Sequence, residues 1–245
     1  MNTLFLFFIS LIIFSCNNST TSNLKKNKQI NKKVNEKLYH LDTTSITEFN
    51  FAKNNFKDDI KYDTLNIKKV NGTINLPIDK KTITFTSFSD TLSNSYETEI
   101  EEYNYIGKFD KIGLYIVEGL FWEHFEYYLI DKKSGKKTTL WNKPKISSTH
   151  KFIANLSMPY GLEGIPNGIQ IWKINYNSNN KKELSKISKK IEIDQQNWVP
   201  IDLFWKSDNS LILKVISVEN FLKSNGEIEK INSNECYYLR LNIHI

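Results

Sequence analysis

From about residue 65 to residue 243, apolar and polar positions alternate in short runs broken by Gly, Asn and Lys, the pattern of half-buried strands joined by tight turns. Residues 65–70 and 73–78 flank Asn71-Gly72, a dipeptide suited to the positive backbone angles of a two-residue hairpin. Thr82, Thr84 and Thr86 alternate with Ile83 and Phe85, which predicts a strand with its threonines outward. Further strands are expected over 102–108, 113–118, 125–131, 137–141, 151–157, 168–176, 203–205, 210–218 and 237–243. Residues 183–193 read two ways: Leu184, Ile187 and Ile191 suit a helix, while Ile187, Ile191 and Ile193 suit one face of a strand. Ahead of all these, Ser45 and Glu48 make a helix-start signature, and Phe49, Ala52 and Phe56 follow at helical spacing, so a short helix is expected over 46–56.

Many short strands with local turns predict an all-β, antiparallel architecture with one short N-terminal helix, built as a meander, a sandwich or a small, degenerate propeller. Residues 38–245 supply one domain-sized block, enough to bury roughly 70% of the surface the chain would expose unfolded. A weak internal echo bears on the arrangement. Residues 148–154, followed by 169–174, look like residues 207–213, followed by 237–243: a polar turn, a strand, then a second strand bearing aromatic residues. This resembles the blade repeat of β-propellers, without the Pro and Gly of that repeat's turn.

The first 15 residues differ from everything downstream. An apolar run from Leu4 to Phe14, interrupted only by Ser10, is too short for the roughly 20 residues of a membrane-spanning helix and fits the apolar core of an export signal. Met1-Asn2-Thr3 lacks the Lys or Arg usual at a signal's start. Ile13-Phe14-Ser15-Cys16 resembles the lipobox of bacterial lipoproteins. The resemblance implies a signal peptide over 1–15, a diacylglycerol on the Cys16 thiol and an acylated new amino terminus, with two or three chains giving firm attachment where one holds only marginally. Residues 17–20 carry no acid, which in lipoproteins goes with the outer membrane and its periplasmic face.

Residues 16–37 read as the lipidated cysteine and a flexible Lys/Asn-rich tether, poor in anything that builds a core. Its six lysines against Glu36 amount to +5, and because the whole chain carries +6, residues 38–245 hold only +1. The basic character therefore belongs mostly to the tether. A nucleic-acid partner would need a basic stripe on the folded domain, and export to the envelope also argues against one, so none is expected. Lys25, Lys26, Lys28, Lys32 and Lys33 suit anionic lipid headgroups, each contributing about 1 kcal/mol near the surface, or serve as a soluble spacer. Cys236 stands alone in the domain and is expected to be a buried structural thiol.

No zinc-type Cys/His spacing, phosphate-cradling Gly loop or nucleophile elbow occurs, so no metal or cofactor is expected. Three segments remain as sites. In 121–128, a continuous strand would set Trp122, His124 and Glu126 on one face, where His124 and Glu126 would act as a proton-transfer pair or simply pair on a wet face. Glu97, Glu99 and Glu101 alternate in a segment that offers carboxylates to a cation or sugar, or forms a solvated strand face. Residues 157–168 concentrate two prolines and three glycines around Tyr160 and Glu163, a binding loop or a plain hairpin. The five tryptophans provide a stacking platform for a sugar or peptide, or fill the core, with at least three expected to be mainly buried. Three functions fit: a non-catalytic, lipid-anchored envelope protein binding a protein or glycan, an envelope hydrolase using residues 122–126, or an immunity or assembly factor with one protein partner.

Overall fold

The computed structural model describes residues 38–89, 100–122, 124–158, 165–177 and 184–244. Cys16, the tether lysines, Glu97, Glu99, Tyr160 and Glu163 lie outside them. Strand β1 (Tyr39–Thr44) and helix α1 (Ile46–Asn55) open the domain. Four antiparallel sheets follow. The first holds β2 (Lys69–Val70), β3 (Thr73–Ile78) and β4 (Lys81–Thr86). The second holds β5 (Phe88–Ser89), β6 (Ile100–Phe109), β7 (Leu114–Phe121), β8 (Phe125–Asp131) and β9 (Lys137–Leu140). The third holds β10 (Lys145–Ile146), β11 (Phe152–Ser157), β12 (Gly168–Tyr176) and β13 (Leu184–Asp194). The fourth runs β14 (Trp198–Ser207), β15 (Ser210–Ser217), β16 (Cys236–Ile243) and then β1, so the N-terminal strand completes the C-terminal sheet.

Local chemistry explains much of this. Asn71 and Gly72 adopt φ of 47° and 73°, the mirror-image turn that two-residue hairpins require. The hairpin's first arm is shorter than expected: residues 65–68 are not strand, and Leu65 is 82% exposed. From Leu184 onward the segment over 183–193 is strand, because pairing with β12 buries Ile191 and Ile193 on the third sheet. Helix α1 begins where expected, with the Ser45 hydroxyl accepting from the Glu48 backbone N–H at 3.3 Å. The Glu48 carboxylate does not return to the cap; it turns to β16 instead.

Each sheet packs face to face on the next in chain order. Ile74, Leu76 and Phe85 of the first meet Tyr115 and Val117 of the second. Leu114, Ile116 and Leu129 of the second meet Ile146, Ile153 and Ile174 of the third. Ala154, Ile169 and Ile171 of the third meet Leu203, Leu213 and Leu239 of the fourth. The two inner sheets thus bury both faces, which is why β7 is almost continuously apolar and why the first four residues of β12, Gln170 included, are buried. The two end sheets do not. Thr82, Thr84 and Thr86 face water from the first sheet, and the outer face of the fourth, Phe204 and Ile212, is covered by Phe49 and Ala52 of α1. Among the described residues, no apolar cluster joins the first sheet to the fourth, so the stack is an all-β series of meanders without a closed barrel. A polar face at one end and a helix at the other satisfy the stack without ring closure.

The single arginine of the chain clamps that helix. Arg240 on β16 donates through Nε to Glu48 at 3.2 Å and through Nη2 to the same carboxylate, while Lys206 reaches its other oxygen at 3.2 Å. The Arg240 hydrogen bonds, above all, pull the Glu48 carboxyl down to about 2. A carboxyl held below its unfolded value contributes stability above pH 4.5 that is lost as pH falls toward 2. Arg240→Ala is expected to cost about 1 kcal/mol at neutral pH, after allowing for water around this half-exposed pair. The difference in urea midpoint from the parent should vanish near pH 2; a constant difference across that range would mean that Glu48 is not what Arg240 holds.

Candidate functional site

The segment linking α1 to the first sheet, KDDIKYD over 57–63, meets residues of the second sheet and of the turns before and within the third. Its Lys61 makes an antiparallel backbone bridge with Lys108 on β6. Its three aspartates each meet a base from elsewhere: Asp58 with Lys143 at 3.7 Å, Asp59 with Lys111 at 3.1 Å, and Asp63 with Lys108 at 2.5 Å. Beside this segment lies a cavity of about 400 Å³. Three consecutive sheets contribute the turns that line it: Lys111 from the β6–β7 turn, Ser147 and Ser148 from the β10–β11 turn, Lys206 and Ser207 from the end of β14. Phe56, Ile146 and Trp205 give it apolar walls, and Asn55, Lys57 and Asp59 complete it.

Electrostatically the cavity is basic. Asp59 accepts from His150 Nε2 and from Lys111 at 3.1 Å and 3.3 Å. Burial opposes its charge, but these hydrogen bonds outweigh burial and hold its carboxyl below the usual aspartate value. His150 sits at φ 59°, a left-handed conformation uncommon outside Gly and Asn, and its carbonyl accepts from the Tyr176 hydroxyl at 2.7 Å. Together these fix the ring against Asp59. Among the described residues, no hydroxyl or thiol bonds to the other nitrogen of His150, so the pair lacks the nucleophile of a catalytic triad. The Ser147 hydroxyl oxygen instead accepts the backbone N–H of Phe152 at 3.2 Å, tying the turn shut. Trp205 donates its indole N–H to the Lys145 carbonyl at 2.8 Å and so offers the cavity only ring carbons.

The segment 121–128 is not one strand. Phe121 N–H donates to the His124 carbonyl at 2.8 Å, closing the β7–β8 hairpin, so the expected shared face of Trp122, His124 and Glu126 is interrupted by a turn. Trp122 stands 63% exposed at that tip. His124 is exposed and stacks on Phe121 at 4.5 Å, while Glu126 accepts the Tyr128 hydroxyl at 2.7 Å. Of the other tryptophans, Trp198 and Trp205 are buried and Trp141 and Trp172 half-buried. Cys236 is half-buried rather than buried, and burial raises its thiol pKa. Glu101 is exposed at the start of β6, but it shares its face with Tyr103 and the buried Tyr105 and accepts the Tyr103 hydroxyl at 3.4 Å, so that face is not simply solvated. No group of three or more His, Cys, Asp or Glu among the described residues is placed to hold a metal ion.

Of the residues singled out from sequence as chemistry, only Trp205 lines the cavity. The remaining lining was hidden because it is assembled from four separated stretches. One signal did touch it. The two echoed segments begin at Ser148 and Ser207, and structurally both lead into the second and third strands of consecutive sheets, so the repeat marked equivalent turns at the cavity. Compared with family models, curated proteins and solved structures, the chain matches none of them.

Proposed function

We propose that this chain is an envelope lipoprotein, held through a lipid on Cys16 in the outer membrane on its periplasmic face, whose all-β domain is a non-catalytic binding module for a glycan or protein. The observation that carries the binding reading is the cleft of about 400 Å³ where turns of three sheets converge, with apolar walls, ammonium groups and hydroxyls and, among the described residues, no nucleophile on the His150–Asp59 pair. The attachment rests on the lipobox-like residues 13–16 and on a tether whose lysines suit anionic headgroups. On this reading, cells fed a fatty-acid probe label the parent chain and sediment it with membranes, whereas Cys16→Ala is unlabelled and found in the soluble fraction. Equal labelling and sedimentation of the two would remove the anchor. Cleavage of the domain by protease added to intact cells would reverse its orientation.

A further inference from the structure

We infer that the cleft beside residues 55–59 takes an anionic ligand, a sugar-sized group bearing a carboxylate or phosphate. The inference rests on reading the cleft as a binding site and adds the chemistry of what enters it. Three ammonium groups line the cavity, from Lys57, Lys111 and Lys206, against a single carboxylate, Asp59. That carboxylate is already shared between Lys111 and His150. Lys206 shares Glu48 with Arg240, so one cation of that trio is in surplus. Lys57 has no carboxylate within ion-pair distance among the described residues. The nearby Asp208 does not redress this, because it is matched by Lys151 at 3.6 Å and accepts the Thr149 hydroxyl. The lining therefore carries surplus positive charge in a concave site, where fewer water molecules screen it than on an open surface.

The remaining groups suit the rest of such a ligand. Ser207 accepts the Asn209 N–H at 3.3 Å, which leaves its own O–H free to donate, and Asn55 uses its N–H on the Phe51 carbonyl at 2.8 Å, leaving its oxygen to accept. Donor and acceptor thus sit beside the carbon faces of Phe56 and Trp205, the combination that a sugar ring with its hydroxyls requires. A purely apolar ligand would leave the ammonium groups desolvated and unpaired, and a cation would meet like charge.

Matched sugars isolate the charge. Calorimetric titration of the detergent-solubilised full chain with galacturonate and galactose, and with glucose 6-phosphate and glucose, is expected to show each acid binding at least tenfold tighter than its neutral partner. Lys57→Gln/Lys206→Gln should weaken the acids about tenfold, and because Arg240 keeps its own bonds to Glu48, losing the Lys206–Glu48 bond should lower the thermal midpoint by no more than about 3 °C. If the galacturonate pair alone discriminates, the acid is a carboxylate; if the glucose 6-phosphate pair alone does, it is a phosphate. Neutral and acidic sugars binding equally would overturn the charge assignment and leave a glycan-binding cleft. Acid binding unaffected by the double substitution would overturn this location, and no binding by any of the four up to about 10 mM would remove the glycan reading of the cleft as well.

Discussion

Replacing Gly168 with alanine is expected to destabilise the domain by about 3 to 5 kcal/mol, which for roughly 200 residues lowers the thermal midpoint by about 10 °C. Gly168 begins β12 with φ 155°, where side-chain-bearing residues carry strain, and it pairs with Asp194 of β13. A Cβ there would lie 1.7 Å from the Ile193 carbonyl oxygen, a backbone atom that cannot retreat without opening the β12–β13 ladder. The neighbouring residue leaves no slack. Asn167 is buried, and its amide donates to the Gln195 and Trp198 carbonyls at 2.7 Å and 2.8 Å, locking the start of β12 to the entry of the fourth sheet. Urea unfolding of Gly168→Ala within 1 kcal/mol of the parent would show that the β12–β13 junction yields, contrary to this geometry.

Asp63→Ala is expected to cost about 3 kcal/mol, because it takes the acceptor from the buried Tyr105 hydroxyl and leaves Lys108 only its longer pair with Asp110 at 3.4 Å. Asp63 is 8% exposed, pairs with Lys108 at 2.5 Å and accepts the Tyr105 hydroxyl at 2.7 Å. Burial alone would raise its carboxyl, but the bonds from Lys108 and Tyr105 prevail and hold it below the usual aspartate value. Burial and the bond to Asp63 both raise the Tyr105 phenol, which therefore stays a donor. Because the folded carboxyl titrates below its unfolded value, this contribution is present above about pH 4 and is lost as pH falls below it. Denaturant midpoints of the parent and Asp63→Ala should therefore converge in acid. Adding Lys108→Met to Asp63→Ala should recover part of the loss by removing an ammonium group that has lost its nearer carboxylate and keeps only Asp110. A double variant no more stable than Asp63→Ala would place the cost outside the ion pair.

This cluster also shows what links fold and cleft. The same short segment that packs Asp63 beneath the second sheet carries Asp59 into the cavity wall, where Lys111 and His150 meet it. A substitution that loosens residues 57–63 should weaken both stability and ligand retention, whereas Lys57→Gln/Lys206→Gln leaves the aspartate pairs of this segment in place and costs, outside the cavity, only the Lys206–Glu48 bond.

Alternation, turn residues and capping were enough to expect the all-β class, the short helix after Ser45, the Asn71-Gly72 hairpin and most strands, because each depends on residues close together in the chain. The echo between residues 148–174 and 207–243 likewise identified equivalent strands of consecutive sheets. Strand β1 escaped notice since its pairing with β16 joins residues about two hundred positions apart, and no local pattern announces such a partner. Residues 121–128 misled for the opposite reason: aromatic residues recurring throughout concealed a hairpin turn that carries no Gly or Pro. The cleft was decided by tertiary structure alone. Its charges come from Lys57, Asp59, Lys111 and Lys206, ordinary surface-type residues whose meaning arises only when the stacking of three sheets brings their turns together and draws water away from them.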